Sequence, residues 1–307
     1  MTTAGVAHRL ASVGQPTAKV DQPAADARPV SGEFSGELQL GLRRGPDGKT
    51  VWCDRRQRFP LRTTAPFHCD ERARDMAFVY VQNPTGGVFG GDRLGIVLNC
   101  GPQAQVHLTT QSATKIYRTE GAPARQELWL QLSEGAYVEY IPDTLIPQAG
   151  ADYEQVTRIE LAFGAVLIVA ETIAAGRVGR GERFAYRRLV LQTVACRCGD
   201  ELFSERLRFE PARARPDVPG MLGGWDYLVS VTVLAPERDL TALTEVINTE
   251  LATRNNLHGG AGALPRQAGA LARVLAPDAV SAADAIWCVW AIARRCLLGV
   301  PPPIRRK

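Results

Sequence analysis

The chain has 307 residues, a formal charge of +4 and a pI of about 8.7. That length suits one large domain or two small ones with a buried core, and 45% hydrophobic with 22% charged residues is the composition of a soluble globular protein. The positive balance is mild, and lysines and arginines are interleaved with acids, so neither a nucleic-acid patch nor a nucleic-acid partner is expected.

Residues 1–30 are rich in Ala, Pro, Gln and Asp without apolar periodicity and are expected to form a disordered extension. They lack the apolar core of a signal peptide. Order is expected from "SGELQLGL", where Leu38, Leu40 and Leu42 alternate with Glu37, Gln39 and Gly41 as in a half-buried strand. "RRGPDGK" reads as a turn, and "FPLRTTAPFHC", with two prolines, as a loop or edge strand.

From Ala77 onward the pattern has period two almost throughout. "AFVYV" leads into "NPTGGVFGGDRL". Alternating sets follow at Leu94/Ile96/Leu98, Val106/Leu108, Leu128/Leu130/Leu132, Val138/Tyr140, Ile159/Leu161/Phe163, Leu189/Leu191/Thr193, Leu207/Phe209 and Tyr227/Val229/Val231/Val233. "AVLIVA" reads as buried on both faces and, as the longest apolar run, is too short to cross a bilayer. A strand, a short glycine turn and another strand recur at "VLNCGPQAQVHL", "LQLSEGAYVEYI", "IELAFGAVLIVA" and "VACRCGDELFSERL". A recurrence of roughly thirty residues argues for stacked layers of strands.

Strands are expected to about residue 235, with a helical region over about 239–299. Leu240, Leu243, Val246, Ile247 and Leu251 keep helical spacing, as do Ile286, Val289, Trp290, Ala293 and Leu297. Ser281 is the expected N-cap of the last helix, Gly299 sits at its C′ position and the prolines at 301–303 stop it. Trp287 lies off the main stripe. The apolar arc is therefore wide, and it either packs on the sheet or serves a partner.

The glycine loop invites comparison with phosphate-binding loops, and its spacing excludes them. No Lys-Ser/Thr follows the glycines, Gly86, Gly87, Gly90 and Gly91 do not space as Gly-x-Gly-x-x-Gly, and a strand follows instead of a helix. It reads as two successive turns, Asn83–Gly86 and Phe89–Asp92, between strands.

Metal ligands are few. The histidines are His8, His68, His107 and His258, without HxxxH or HExxH spacing. His68-Cys69 and Cys196/Cys198 are the close soft-ligand pairs. On a strand Cys196 and Cys198 point to one side and can share a metal, or serve as ordinary small residues. The seven cysteines are odd in number and irregularly spaced, as expected of reduced thiols in a cytoplasmic protein. No nucleophilic triad is visible. Paired acids, such as Asp92 and Asp143, leave a glycoside-type hydrolase as an alternative.

The order "NPTGGVFGGDRL", "TTQSATKIYR", "YIPDTLIPQAGADYEQ", "AAGRVGRGERFAYRRL" and "ERLRFEP" resembles the UreD (UreH) family of urease accessory proteins, from about Gly36 to about Pro302. The family's "GGDRL" and its Thr-Thr-Gln-small-x-Lys-x-Tyr-Arg pattern are present, the latter as Thr109, Thr110, Gln111, Lys115, Tyr117 and Arg118. The His68-Cys69 segment, "LHGGAGALPRQAG" and the ending "PPPIRRK" depart from the family pattern.

The resemblance implies a mainly β fold, a helicoid-like array of stacked strands with two C-terminal α-helices in a single domain over 31–307. It implies a non-enzymatic nickel-insertion chaperone that binds apo-urease and UreF, and through UreF the nickel-carrying GTPase UreG. Such an assembly builds the dinickel urease site with its carbamylated lysine. The resemblance also implies an internal polar passage that carries nickel transiently, with no tightly bound cofactor. By it, Asp92, Glu171 and Glu205 are expected as transient nickel ligands and Thr114 as a passage-lining residue. Hard oxygen donors let an ion enter and leave, whereas thiolates and imidazoles would hold Ni²⁺. A scaffold that bridges partners without passing metal is the other reading.

Overall fold

A computed structural model of the chain describes residues 34–303. The reading of residues 1–30 as a disordered extension lies outside them. The strands are β1 (Gly36–Arg44), β2 (Thr50–Arg58), β3 (Arg62–Thr63), β4 (Ala77–Gln82), β5 (Arg93–Cys100), β6 (Gln105–Thr110), β7 (Thr114–Ile116), β8 (Ala124–Leu132), β9 (Tyr137–Tyr140), β10 (Leu145–Pro147), β11 (Asp152–Leu161), β12 (Val166–Ala174), β13 (Arg188–Arg197), β14 (Asp200–Phe209) and β15 (Tyr227–Leu234). Then come α1 (Thr241–Ala252), β16 (His258–Ala263), β17 (Gly269–Ala276) and α2 (Ala279–Leu298). The chain is mainly β, as the alternation predicts.

The recurrent glycine turns are the corners of a coil. Three times the chain leaves one sheet at such a turn and enters the other: β5 to β6, β8 to β9 and β11 to β12. Successive coils lie in parallel register, so Leu94, Gln126 and Gln155 sit side by side in the first sheet, and Gln105, Tyr137 and Val166 in the second. The corners also stack: Gln103 N donates to Glu134 O and Gly135 N to Phe163 O, both at 3.0 Å. Gly135 and Gly164 have φ of 64° and 68°, a left-handed conformation that glycine adopts without steric cost.

The fourth recurrence behaves differently. In "VACRCGDELFSERL" the chain stays in the first sheet as the antiparallel hairpin β13–β14. Cys198 and Gly199 both have positive φ, 52° and 83°, in the two-residue loop geometry that matches strand twist. Cys198 is thus an exposed turn residue while Cys196 is buried in β13, which corrects the expectation of two thiols on one strand face.

The first sheet runs β14-β13-β11-β8-β5-β1-β2 and the second β16-β17-β15-β12-β9-β6-β4-β3. At the outer strands the pairing turns antiparallel: β1–β2 and β13–β14 in the first sheet, β3–β4 and β15–β17–β16 in the second. Strand β2 is an edge carrying exposed Arg55, Arg56 and Arg58. Short β3 confirms the edge reading of "FPLRTTAPFHC".

Two cores follow from this layering. Leu38, Leu98, Leu130, Tyr153 and Leu167 lie between the sheets, whereas Ile168, Val231, Leu243, Ile247 and Trp290 lie between the second sheet and the helices. Burying each such side chain is worth roughly 1.5–3 kcal/mol, so the wide apolar arc of α2 is used mainly in packing. Trp287 stays 37% exposed. The N-cap of α2 is Asp278, not Ser281: its Oδ1 accepts from Ser281 N at 2.8 Å, so the helix starts three residues earlier than expected. Gly299, with φ 76°, ends it as predicted.

Strands do not stop near residue 235. The hairpin β16–β17 separates the two helices and completes one side of the second sheet. Its "HGGAGA" strand lacks alternating side chains, hence its irregular look in sequence. A Cβ on Gly259 would stand 2.1 Å from Arg273 O, so the close backbone approach demands glycine. No helix among the described residues is long and apolar enough to cross a membrane.

Candidate functional site

The glycine loop folds as two turns. Gly86 N donates to Asn83 O at 3.1 Å and Asp92 N to Phe89 O at 3.0 Å. Asn83 anchors the first turn, accepting from Thr85 Oγ1 at 2.6 Å and donating to Gly87 O at 2.8 Å. The segment between the turns lies on β7: Val88 N donates to Lys115 O at 2.8 Å and Tyr117 N to Val88 O at 2.9 Å. Gly87 permits this contact, since a Cβ there would meet Lys115 O at 2.4 Å.

Behind this loop is a cavity of about 60 Å³, well above the ~10–15 Å³ that one water needs. Asn83, Gln111, Thr114 and Asp143 line it, and its walls continue to Gln155 and Glu171 between the sheets. The hydroxyl- and amide-rich "TTQSATK" is therefore a cavity wall.

Beyond the cavity the polar side chains continue in rows. Directly paired strand residues share a face. Leu167, Val169 and Ile173 of β12 face the gap between the sheets, so Glu171 faces it too. In register with Glu171 stand Ser230 of β15 and then Arg273 of β17. On the opposite sheet Gln126 pairs with Gln155, and Thr157 with Thr193 and then Glu205. Gln155, Thr157, Thr193 and Ser230 are all buried. The result is a polar corridor through an otherwise apolar gap, leading from the cavity toward the β14 and β17 side.

Its charges are partly offset by hydrogen bonds and one ion pair. Gln155 Nε2 donates to Glu171 Oε1 at 2.9 Å across the gap, and Tyr153 Oη donates to Gln155 Oε1 at 3.1 Å. Burial raises the Glu171 carboxyl to about 7, against the opposing pull of Arg273 and the Gln155 hydrogen bond. Arg273 forms an ion pair with Glu205, joining the two sheets at the far end. Burial lowers the pKa of the Arg273 guanidinium from its usual value, and the Glu171 charge partly restores it.

Residues 35–307 match the family model described as UreD urease accessory protein. The chain belongs to the UreD urease accessory protein family. It is 38% identical over 263 residues to urease accessory protein UreD 2 of Streptomyces griseus subsp. griseus, covering 85% of this chain and 89% of that protein. It is 35% identical to UreD of Mycolicibacterium gilvum, over 86% of this chain and 95% of that one. With UreD of Haloarcula marismortui the identity is 31% over 297 residues, 95% of this chain and 94% of the other.

With the UreD family shown, the four residues that the resemblance singled out separate. Thr114 and Glu171 line the same cavity. Glu205 joins the corridor through Arg273. Asp92 does not line the cavity; its Oδ2 accepts from Phe89 N at 2.9 Å and closes the second turn, a structural task. Asp143 is in the cavity wall without Asp92, so the two acids of the hydrolase alternative do not share that site.

A second buried network escaped the sequence reading. Arg294 of α2 is fully buried and forms an ion pair with Asp70, in the segment before β4. Its Nε lies 3.4 Å from Glu139 Oε1. Glu139 also accepts from Tyr137 Oη at 3.0 Å and contacts His107 Nδ1 at 2.9 Å. Burial pushes the Glu139 carboxyl up, but the hydrogen bond to His107, its charge and that of Arg294 outweigh this and hold it below the ordinary value. This network lies on the helix side of the second sheet and fixes α2. His68 Nε2 lies 3.0 Å from Thr50 O, a local structural contact. Among the described residues no group of three or more His, Cys, Asp or Glu is placed to hold a metal ion.

Proposed function

We propose that this protein is a non-catalytic accessory for nickel insertion into urease, and that the corridor from the Thr114–Asp143 cavity past Glu171 to Glu205 is its nickel route. In this reading it binds apo-urease together with UreF, which brings the GTPase UreG, and works in the cytoplasm. Nickel is cargo and leaves with urease. The corridor carries the proposal: polar side chains from both sheets are aligned in a gap where packing alone would favour hydrocarbon. Its donors are carboxylate, amide and hydroxyl oxygens, which coordinate a hydrated divalent ion weakly enough to release it.

The test is co-expression with the urease subunits and the other accessory proteins at limiting nickel. Without this protein, urease is expected to assemble with little nickel and little activity. Full activation in its absence would refute the reading. Glu171→Gln that leaves both complex formation and urease nickel content unchanged would favour the bridging scaffold over the nickel route.

A further inference from the structure

We propose that Arg273 closes the far, solvent-facing end of the corridor: it is a resident cation, held by Glu205 beside Glu171, that a divalent cation passing that end must displace. This rests on the nickel-route reading and adds to it the residue that controls passage.

Three observations carry the inference. Arg273 is in register with Ser230 and Glu171 along one rung of the second sheet, on the face that looks into the gap. Its guanidinium pairs with Glu205 of the opposite sheet, so it spans the gap where the polar rows of both sheets end. The cavity walls extend to Glu171 and Gln155 but do not include Arg273, which therefore stands beyond the open part of the corridor.

The chemistry follows from charge. A guanidinium stays protonated and has no lone pair to offer a metal, so Arg273 cannot act as a ligand. It can occupy the place of one. While it pairs with Glu205 and its charge acts on Glu171, two carboxylates that would otherwise attract any divalent ion are partly satisfied. Displacement exchanges one positive charge for two, which favours a divalent over a monovalent cation. Across the outer ladder Arg273 faces Gly260, which adds no side chain to hold its stem in place. At rest, then, the corridor does not store metal.

Equilibrium dialysis of the full chain against Ni²⁺ tests this without urease. Arg273→Gln is expected to bind Ni²⁺ at least ten-fold more tightly than wild type, and adding Glu205→Gln should abolish the gain. Thermal melting confirms that each variant is folded. Where Arg273→Gln does not fold, Arg273→Met keeps the apolar stem and is read against the same two outcomes. A folded Arg273 variant with wild-type nickel affinity overturns the proposal, as does a gain that survives removal of Glu205. The two readings fail separately. Lost delivery in corridor variants with no affinity gain at Arg273 leaves the route without this closing residue. A gain at Arg273 with unimpaired delivery leaves a closed cation site that is not the route.

Discussion

Gln155 and Glu171 meet across the gap between the sheets at 2.9 Å, an amide donating to a carboxylate whose charge burial disfavours. Burial makes Glu171 sensitive to pH, and the Gln155 contact only partly offsets it. Its folded pKa, about 7, lies above the unfolded carboxylate value, so the ionised side chain lowers stability at high pH. That cost is fully present above about 7 and absent below the unfolded value. Tyr140, Tyr153, Arg273 and Gln155 surround the group, and none of them loses its charge or hydrogen bonding in that window. Glu171→Gln is expected to melt above wild type at pH 8, with the difference vanishing near pH 4.5. A pH-independent difference in melting temperature would contradict this origin.

The network under α2 has the opposite sign. Glu139 is held below its ordinary value, so it contributes stability above the unfolded pKa and loses it as pH falls through the folded one. Glu139→Gln should be less stable than wild type at pH 7, with the gap closing below about pH 4.5. Arg294→Leu leaves Asp70 and Glu139 buried without their cation and should cost ~3–5 kcal/mol in urea denaturation. A loss below 1 kcal/mol would show that the network is hydrated or replaceable.

Two glycines of one loop should respond differently. Gly87→Ala places a Cβ against Lys115 O and the Tyr117 ring and is expected to cost ~1–3 kcal/mol by overpacking. Gly91, with φ 83°, has open space around it, so alanine there meets only backbone strain of about 1 kcal/mol. Chemical denaturation of both variants checks the order, and Gly87→Ala should also disturb nickel delivery because that contact builds the cavity wall.

Function should follow the corridor and not the family signature. Ser230→Val puts hydrocarbon between Glu171 and Arg273 and is expected to lower urease nickel content several-fold at limiting nickel while the accessory complex still assembles. Asp92→Ala removes a turn hydrogen bond, costs about 1 kcal/mol and should leave nickel content unchanged. Pull-down assays and metal analysis of the urease produced read both effects.

The alternation at Leu94/Ile96/Leu98 and Leu128/Leu130/Leu132 makes the strands legible, and the thirty-residue recurrence makes the stacking legible, because strand period and turn chemistry are local. The hairpin β16–β17 is hidden because its glycines carry no pattern. Gln155, Thr157, Thr193, Ser230 and Arg273 have a faint signal: each is polar at an inward position of a strand that also places apolar residues such as Tyr153, Ile159, Leu191, Leu228 and Leu271 in the same phase. Reading that signal requires knowing which face is covered, and only the second sheet settles that. Asp92 stood out because of its motif, and the motif's demand is the turn. Arg294 carries no local signal of its role, because its buried partner Asp70 is more than two hundred positions away.

A protein built by stacking coils faces a problem of growth, since each parallel coil offers its backbone to another one. Here the terminal strands reverse direction, β14 folding back on β13 and β2 on β1, and β2 presents arginines along its free edge. Such edges repel strand addition, and irregular terminal units of this kind cap repeat architectures. The reversed ends therefore fix the number of coils and the length of the corridor, and they disfavour growth into a fibre by strand addition at this sheet.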